Sequence, residues 1–140
     1  MDLIKWNDKK MSIGIKLIDD EHKQLLQIIN DLSISIHKNC QKEEIVSIVD
    51  RLIDYSKYHF AREEKYFDEF NYEDATAHKH QHELFINKFE KIKNKIKLED
   101  ELCNIILTEE VFLYLVKWLL NHISGSDRKY VKLFKQNGLQ

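Results

Sequence analysis

The chain has 140 residues, 43% of them apolar and 33% charged, and 22 Lys and Arg against 24 Asp and Glu leave a formal net charge of −2. That length and balance read as one globular domain over residues 1–140. They exclude a nucleic-acid binder, which needs a clustered basic surface, and no apolar run approaches the roughly 20 residues that span a bilayer.

Proline is absent and glycine occurs only at Gly14, Gly125 and Gly138, so helices can run long without interruption. Residues 1–17, with Trp6, Met11, Ile13 and Ile15, read as an extended N-terminal arm laid across the remainder. The first five residues lack the basic and apolar segments of a secretory signal, so a cytoplasmic location is expected. From about Ile18 the apolar residues recur every three or four positions, which is helical spacing. The first helix carries Ile18, His22, Leu25, Ile29, Leu32 and Ile36 on one stripe. After a short connection near 38–42, the second carries Ile45, Val49, Leu52, Ser56, His59, Glu63, Tyr66 and Phe70. A turn at 71–74 leads to the third, with Ala75, His78, His82, Phe85, Phe89, Ile92 and Ile96. A longer connection near 98–108 precedes the fourth, with Val111, Leu115, Trp118 and His122, then a break near Gly125 and a short last helix to about Phe134. Four such stripes predict an all-α, antiparallel up-down four-helix bundle over about residues 18–134. Cys40 and Cys103 fall in the first and third connections and read as free thiols, with pairing between them the minor alternative.

Polar, metal-binding side chains interrupt these apolar stripes. His22, His59, Glu63, His78, His82 and His122 stand where a bundle otherwise places Leu or Ile, and burying them without a partner costs several kcal/mol. His59-x-x-x-Glu63 and His78-x-x-x-His82 are i,i+4 pairs, so both members of each project from one helix face. Asp127 lies five residues beyond His122, and a break at Gly125 would swing it back to the same centre. The register agrees. His22 stands about 16 residues before the first turn and His59 about 17 after it, ~24 Å along each helix, and the other two helices give similar matches. Seven ligands are too many for one ion, whereas two ions sharing two carboxylates fit. Imidazole-rich sites suit iron better than magnesium or calcium, with zinc a weaker competitor.

The segments Trp6…Ile13-Gly14-Ile15…Ile18-Asp19-Asp20-Glu21-His22, His59-Phe60-Ala61-Arg62-Glu63, His78…His82 and Trp118-Leu119-Leu120-Asn121-His122…Asp127-Arg128-Lys129-Tyr130 resemble the hemerythrin family, in particular its single-domain bacterial members. The resemblance covers about Trp6 to Phe134. It implies one iron held by His78, His82 and His122 and a second by His22 and His59, with Glu63 and Asp127 bridging an oxo- or hydroxo-bridged di-iron centre. It further implies that dioxygen binds reversibly at an open position on the second iron.

Leu25 and Phe60 beside that iron, and Trp118, Leu119 and Ile123 around His122, are the expected walls of an oxygen pocket with no acid or base in them. The balance of five histidines and two carboxylates differs from ferritin-like centres, which use four carboxylates and two Glu-x-x-His pairs. His80, His37, Glu21, Glu64 and Glu83 are expected to face away from the centre. The reading is therefore a non-enzymatic oxygen carrier for storage, delivery or buffering, monomeric, with an oxygen-requiring enzyme as the recipient it implies. The rivals are a sensor acting through a partner, a di-iron enzyme consuming oxygen, peroxide or nitric oxide, and an iron-handling protein.

Overall fold

Four long helices follow from the absence of internal breakers. In the computed structural model, which describes residues 3–38, 41–98 and 105–140, α1 is Asp8–Met11, α2 Lys16–Lys38, α3 Lys42–Glu69, α4 Ala75–Leu98, α5 Ile105–Asn121 and α6 Val131–Gln136. Helices α2 to α5 form the antiparallel four-helix bundle, each roughly 25–42 Å long at 1.5 Å per residue. Their apolar stripes meet in one core. Ile18, Leu25, Ile29 and Leu32 of α2 pack with Ile45, Val49 and Leu52 of α3, Phe85 and Phe89 of α4, and Val111, Leu115 and Leu119 of α5, all buried. Burying each such side chain stabilises the fold by about 1.5–3 kcal/mol before entropy is counted. Among the described residues no helix is long and apolar enough to cross a membrane.

The N-terminal arm is not extended throughout. Asn7 accepts a hydrogen bond from the Lys10 amide through its side chain, and Asp8 sits in the first turn, so this short stretch closes into α1. Four residues are too few to show a helical period in sequence. The bundle helix α2 also starts two residues before Ile18, where the sequence stripe begins, because Lys16 and Leu17 already follow the turn at Gly14, whose φ is +77°. Asp19 ties the arm down: its carboxylate accepts from the Ser12 hydroxyl at 2.5 Å and the Ile13 amide at 2.9 Å. Farther up, the Asn30 side chain pairs with both backbone groups of Ile4. The arm thus buries Met11, Ile13 and Ile15 beside α2.

The α3–α4 turn is closed by Asn71 at φ 54° and by the Tyr72 amide donating to the Phe67 carbonyl at 2.9 Å, a helix-terminating pattern that asparagine tolerates. Helix α5 begins within the connection expected at 98–108. The expectations for Cys40 and Cys103 lie outside the described residues. Near Gly125 the chain does not break. It widens into a π turn, His122–Ser126, and then tightens into a 3₁₀ turn, Asp127–Tyr130. Gly125 has no positive φ, and a Cβ there would meet nothing within 4 Å.

Candidate metal centre

The bundle brings seven side chains to one level. His22 comes from α2, His59 and Glu63 from α3, His78 and His82 from α4, His122 from the end of α5 and Asp127 from the turn after it, and all are buried. The π turn explains the irregular spacing of the last two. Its i→i+5 hydrogen bond, from the Asp127 amide to the His122 carbonyl, sets residue five in the place that residue four holds on an α-helix. Asp127 Oδ1 therefore comes within 2.9 Å of His122 Nε2.

The ligand atoms fall into two groups, Glu63 with His78, His82 and His122, and Asp127 with His22 and His59, each group within 4.8 Å. Each carboxylate also reaches histidines of both halves. Glu63 Oε1 lies 2.9 Å from His59 Nε2 and 3.6 Å from His82 Nε2. Asp127 Oδ2 lies 2.9 Å from His22 Nε2, and its Oδ1 lies 3.0 Å from His78 Nε2. His82 and His122 point their Nε2 atoms at each other across 3.3 Å.

This donor set fits a metal pair. The Nε2 atoms of His22, His59 and His78 and all four carboxylate oxygens of Glu63 and Asp127 are buried without hydrogen-bond partners. Left unsatisfied, each such atom costs about 1–3 kcal/mol, and more where charged. The electrostatics carry the same strain. Burial raises the carboxyls of Glu63 and Asp127, but the surrounding imidazoles more than offset it and hold both below the usual range, Asp127 well below. Burial likewise opposes the His59 imidazolium, yet Glu63 and Glu21 outweigh it and hold its pKa up at about 10. His82 goes the other way, to about 3, because burial and then the neighbouring His122 and His78 exceed the pull of Glu63.

Residues 13–134 match the model of the hemerythrin HHE cation binding domain. The chain belongs to the hemerythrin family. A bacteriohemerythrin of Stenotrophomonas maltophilia (strain R551-3) is 30% identical over 96% of this chain and 84% of its own length. That of Clostridium acetobutylicum is 31% identical over 90% of this chain and 97% of its own. A crystal structure of wild-type hemerythrin superposes with a TM-score of 0.79 at 28% identity, covering 94% of this chain and 98% of that one.

In this member of the hemerythrin family the expected pocket residues part company. Leu25, Trp118 and Leu119 line a small internal cavity of about 10 Å³ with Ser56, Phe85 and Leu115. Phe60 does not line it. Its ring lies flat on His82, 3.8 Å between centroids, and borders an outer groove between α3 and α4. Ile123 is buried but likewise lies outside the lining of the cavity. His37, His80 and Glu83 are exposed, as expected.

Glu21 and Glu64 correct the outward-facing expectation. Glu21 is buried and accepts from His59 Nδ1 at 2.8 Å, while Glu64, partly exposed, accepts from His82 Nδ1 at 3.0 Å. Both stand next in sequence to a seam position, but so does the exposed Glu83, so position beside the seam does not by itself tell an inward carboxylate from an outward one. Tyr130, fully buried three residues after Asp127, also borders the centre, with its ring 5.7 Å from that of His78. Burial and then Asp127 and Glu63 push its hydroxyl well above its ordinary pKa.

Proposed function

We propose that this chain reversibly binds dioxygen at a pair of iron ions, held by His78, His82 and His122 on one side and by His22 and His59 on the other, with Glu63 and Asp127 bridging. The observation that carries this reading is the double reach of the two carboxylates in a buried, imidazole-rich centre. Five imidazoles and two carboxylates are a donor set for a transition metal with nitrogen affinity, and two shared carboxylates suit two ions at short separation. When bound, the iron pair supplies reversible two-electron exchange with dioxygen.

The chain's residues supply the surroundings. Leu25, Leu115, Trp118 and Leu119 make the inner cavity mostly apolar, with the Ser56 hydroxyl among them, and none of its lining side chains is an acid or a base. A largely apolar wall without an ionisable acid or base favours return of the ligand over its further reduction. Storage, delivery and buffering of oxygen are all compatible roles, and catalytic turnover is not needed to account for the site.

The test is an anaerobic titration of the reduced, iron-loaded protein with oxygen, followed by flushing with argon. One oxygen taken up per two irons, with visible absorption that bleaches under argon, supports the carrier. Continued oxygen consumption in the presence of a reductant, or colour that argon does not remove, refutes it in favour of an enzyme.

A further inference from the structure

Two of the five imidazoles carry a carboxylate on Nδ1, and the two carboxylates are built differently. Glu21, from α2, is only 5% exposed. Its Oε1 accepts from His59 Nδ1 at 2.8 Å, and its Oε2 accepts from Arg62 Nε at 2.6 Å. Arg62 continues outward, donating through Nη2 to the Tyr58 hydroxyl at 2.6 Å with its guanidinium 5.2 Å from the Tyr58 ring centroid. Tyr58, His59 and Arg62 lie within about one turn of α3, so one short stretch of that helix holds both ends of the chain of bonds, from the buried His59 to the exposed Tyr58. Glu64, by contrast, keeps a side-chain exposure of 32% beside His82, where water can take its place.

A buried carboxylate that had only the imidazole as partner would be a poorly compensated charge. Arg62 compensates it and fixes its orientation, since the planar guanidinium offers donors in a rigid fork. The consequence lies at His59. With Nδ1–H committed to Glu21, only Nε2 is left to face the centre, and the ring cannot rotate about its bond to Cβ without breaking the contact. Electron density from the carboxylate makes Nε2 a stronger donor. We infer that Glu21, clamped by Arg62, is a positioning residue that sets the tautomer, aim and donor strength of His59, and so tightens the His22/His59 half of the centre selectively. Glu64 does this more weakly for the other half. This rests on the reading that the seven side chains hold two metal ions, but not on their binding dioxygen.

The experiment uses the full chain and ferrous ion, titrated anaerobically against a chromogenic chelator, with Glu21→Ala, Glu21→Gln, Arg62→Leu and Glu64→Ala variants. Loss of an outer carboxylate behind a metal-bound imidazole weakens binding by about 10–100-fold. That loss is expected in Glu21→Ala for one of the two ions, the other staying within about twofold. Arg62→Leu loses less for the same ion, and Glu64→Ala less than about threefold for either. Glu21→Gln keeps the shape and an acceptor oxygen without the charge, so it remains informative if the alanine variant does not fold, and is expected to weaken that same ion by an intermediate amount.

A second readout is the His59 Nδ1 proton in zinc-loaded, ¹⁵N-histidine-labelled protein. It exchanges slowly with solvent in the parent and rapidly in Glu21→Ala. Equal weakening of both ions, or a lower Tm with both affinities and the proton signal unchanged, means that Glu21 is merely structural and overturns the inference. A parent chain that binds two ferrous ions yet takes up no oxygen removes the carrier reading and leaves this one standing. A parent that cannot hold two ions overturns both.

Discussion

At His59 three carboxylates compete with burial, and the outcome is an imidazole that keeps both protons up to a pH of about 10. A metal ion that takes Nε2 must displace one of them, because only the deprotonated nitrogen is a ligand. Anaerobic loading of the stripped protein with ferrous ion at pH 7 is therefore expected to release about one proton or more per chain. The apparent affinity should rise with pH until His59 loses its proton unaided, and an indicator dye in weak buffer measures the release directly. Proton-neutral loading would show that His59 stands outside the metal-binding set. The residue scale is also where the sequence was most informative about chemistry. His22, His59, Glu63, His78, His82 and His122 were visible because each breaks an apolar stripe at a position that must be buried. Glu21 and Glu64 were not visible, since whether a carboxylate beside a seam turns to solvent or to a neighbouring imidazole depends on how close the next helix comes.

The end of α5 shows how an element achieves what a residue pattern only hints at. Sequence placed a break at Gly125, whereas the structure widens the helix over His122–Ser126 and keeps it continuous. The glycine is then not a conformational requirement. Gly125→Ala, with ordinary φ and open space for the methyl group, is expected to raise stability by about 0.4–1 kcal/mol through a less flexible unfolded chain. Gly14→Ala is expected to cost about 1–2 kcal/mol, because the left-handed backbone crowds a Cβ; the Lys135 ammonium, 2.8 Å from where that Cβ would sit, is the end of a flexible side chain that can move aside. Thermal unfolding of the two variants side by side decides it. A loss of stability or of metal loading in Gly125→Ala would mean that the helix needs its glycine after all. Periodicity located α2 to α4 well because each stripe is long, and it missed α1 because a single turn capped by Asn7 leaves no stripe to read.

For the molecule as a whole, the seven converging side chains trade fold stability for a site. Removing the metal by chelation returns their unsatisfied atoms to the core. A ligand present at about a hundred times its Kd stabilises the fold by about 2.7 kcal/mol, so stripping is expected to lower Tm by about 10 °C for a domain of this size. The stripped protein should also respond to pH in a characteristic way. The raised pKa of His59 contributes stability that is complete below about 6.5 and is lost as pH rises through about 10. The lowered pKa values of Glu63 and Asp127 contribute stability present above their ordinary carboxyl range and lost as pH falls through the folded-state values. His82, lowered to about 3, adds a loss that sets in already below 6.5. Calorimetry of the stripped protein is expected to find its Tm highest between about pH 6 and 7, declining on both sides, and a flat profile would show that the cluster does not couple to folding. The amino-acid sequence by itself determined the four helices, their antiparallel order and the six polar positions on the seam, because helical period and the cost of burying polar groups are local, additive consequences of residue type. Only the tertiary structure decided the π turn that returns Asp127 to the centre, the placement of Phe60 against His82, and the bond from Glu21 to His59. Each of these depends on the distance between helices, which is fixed by how all the side chains of the core pack together.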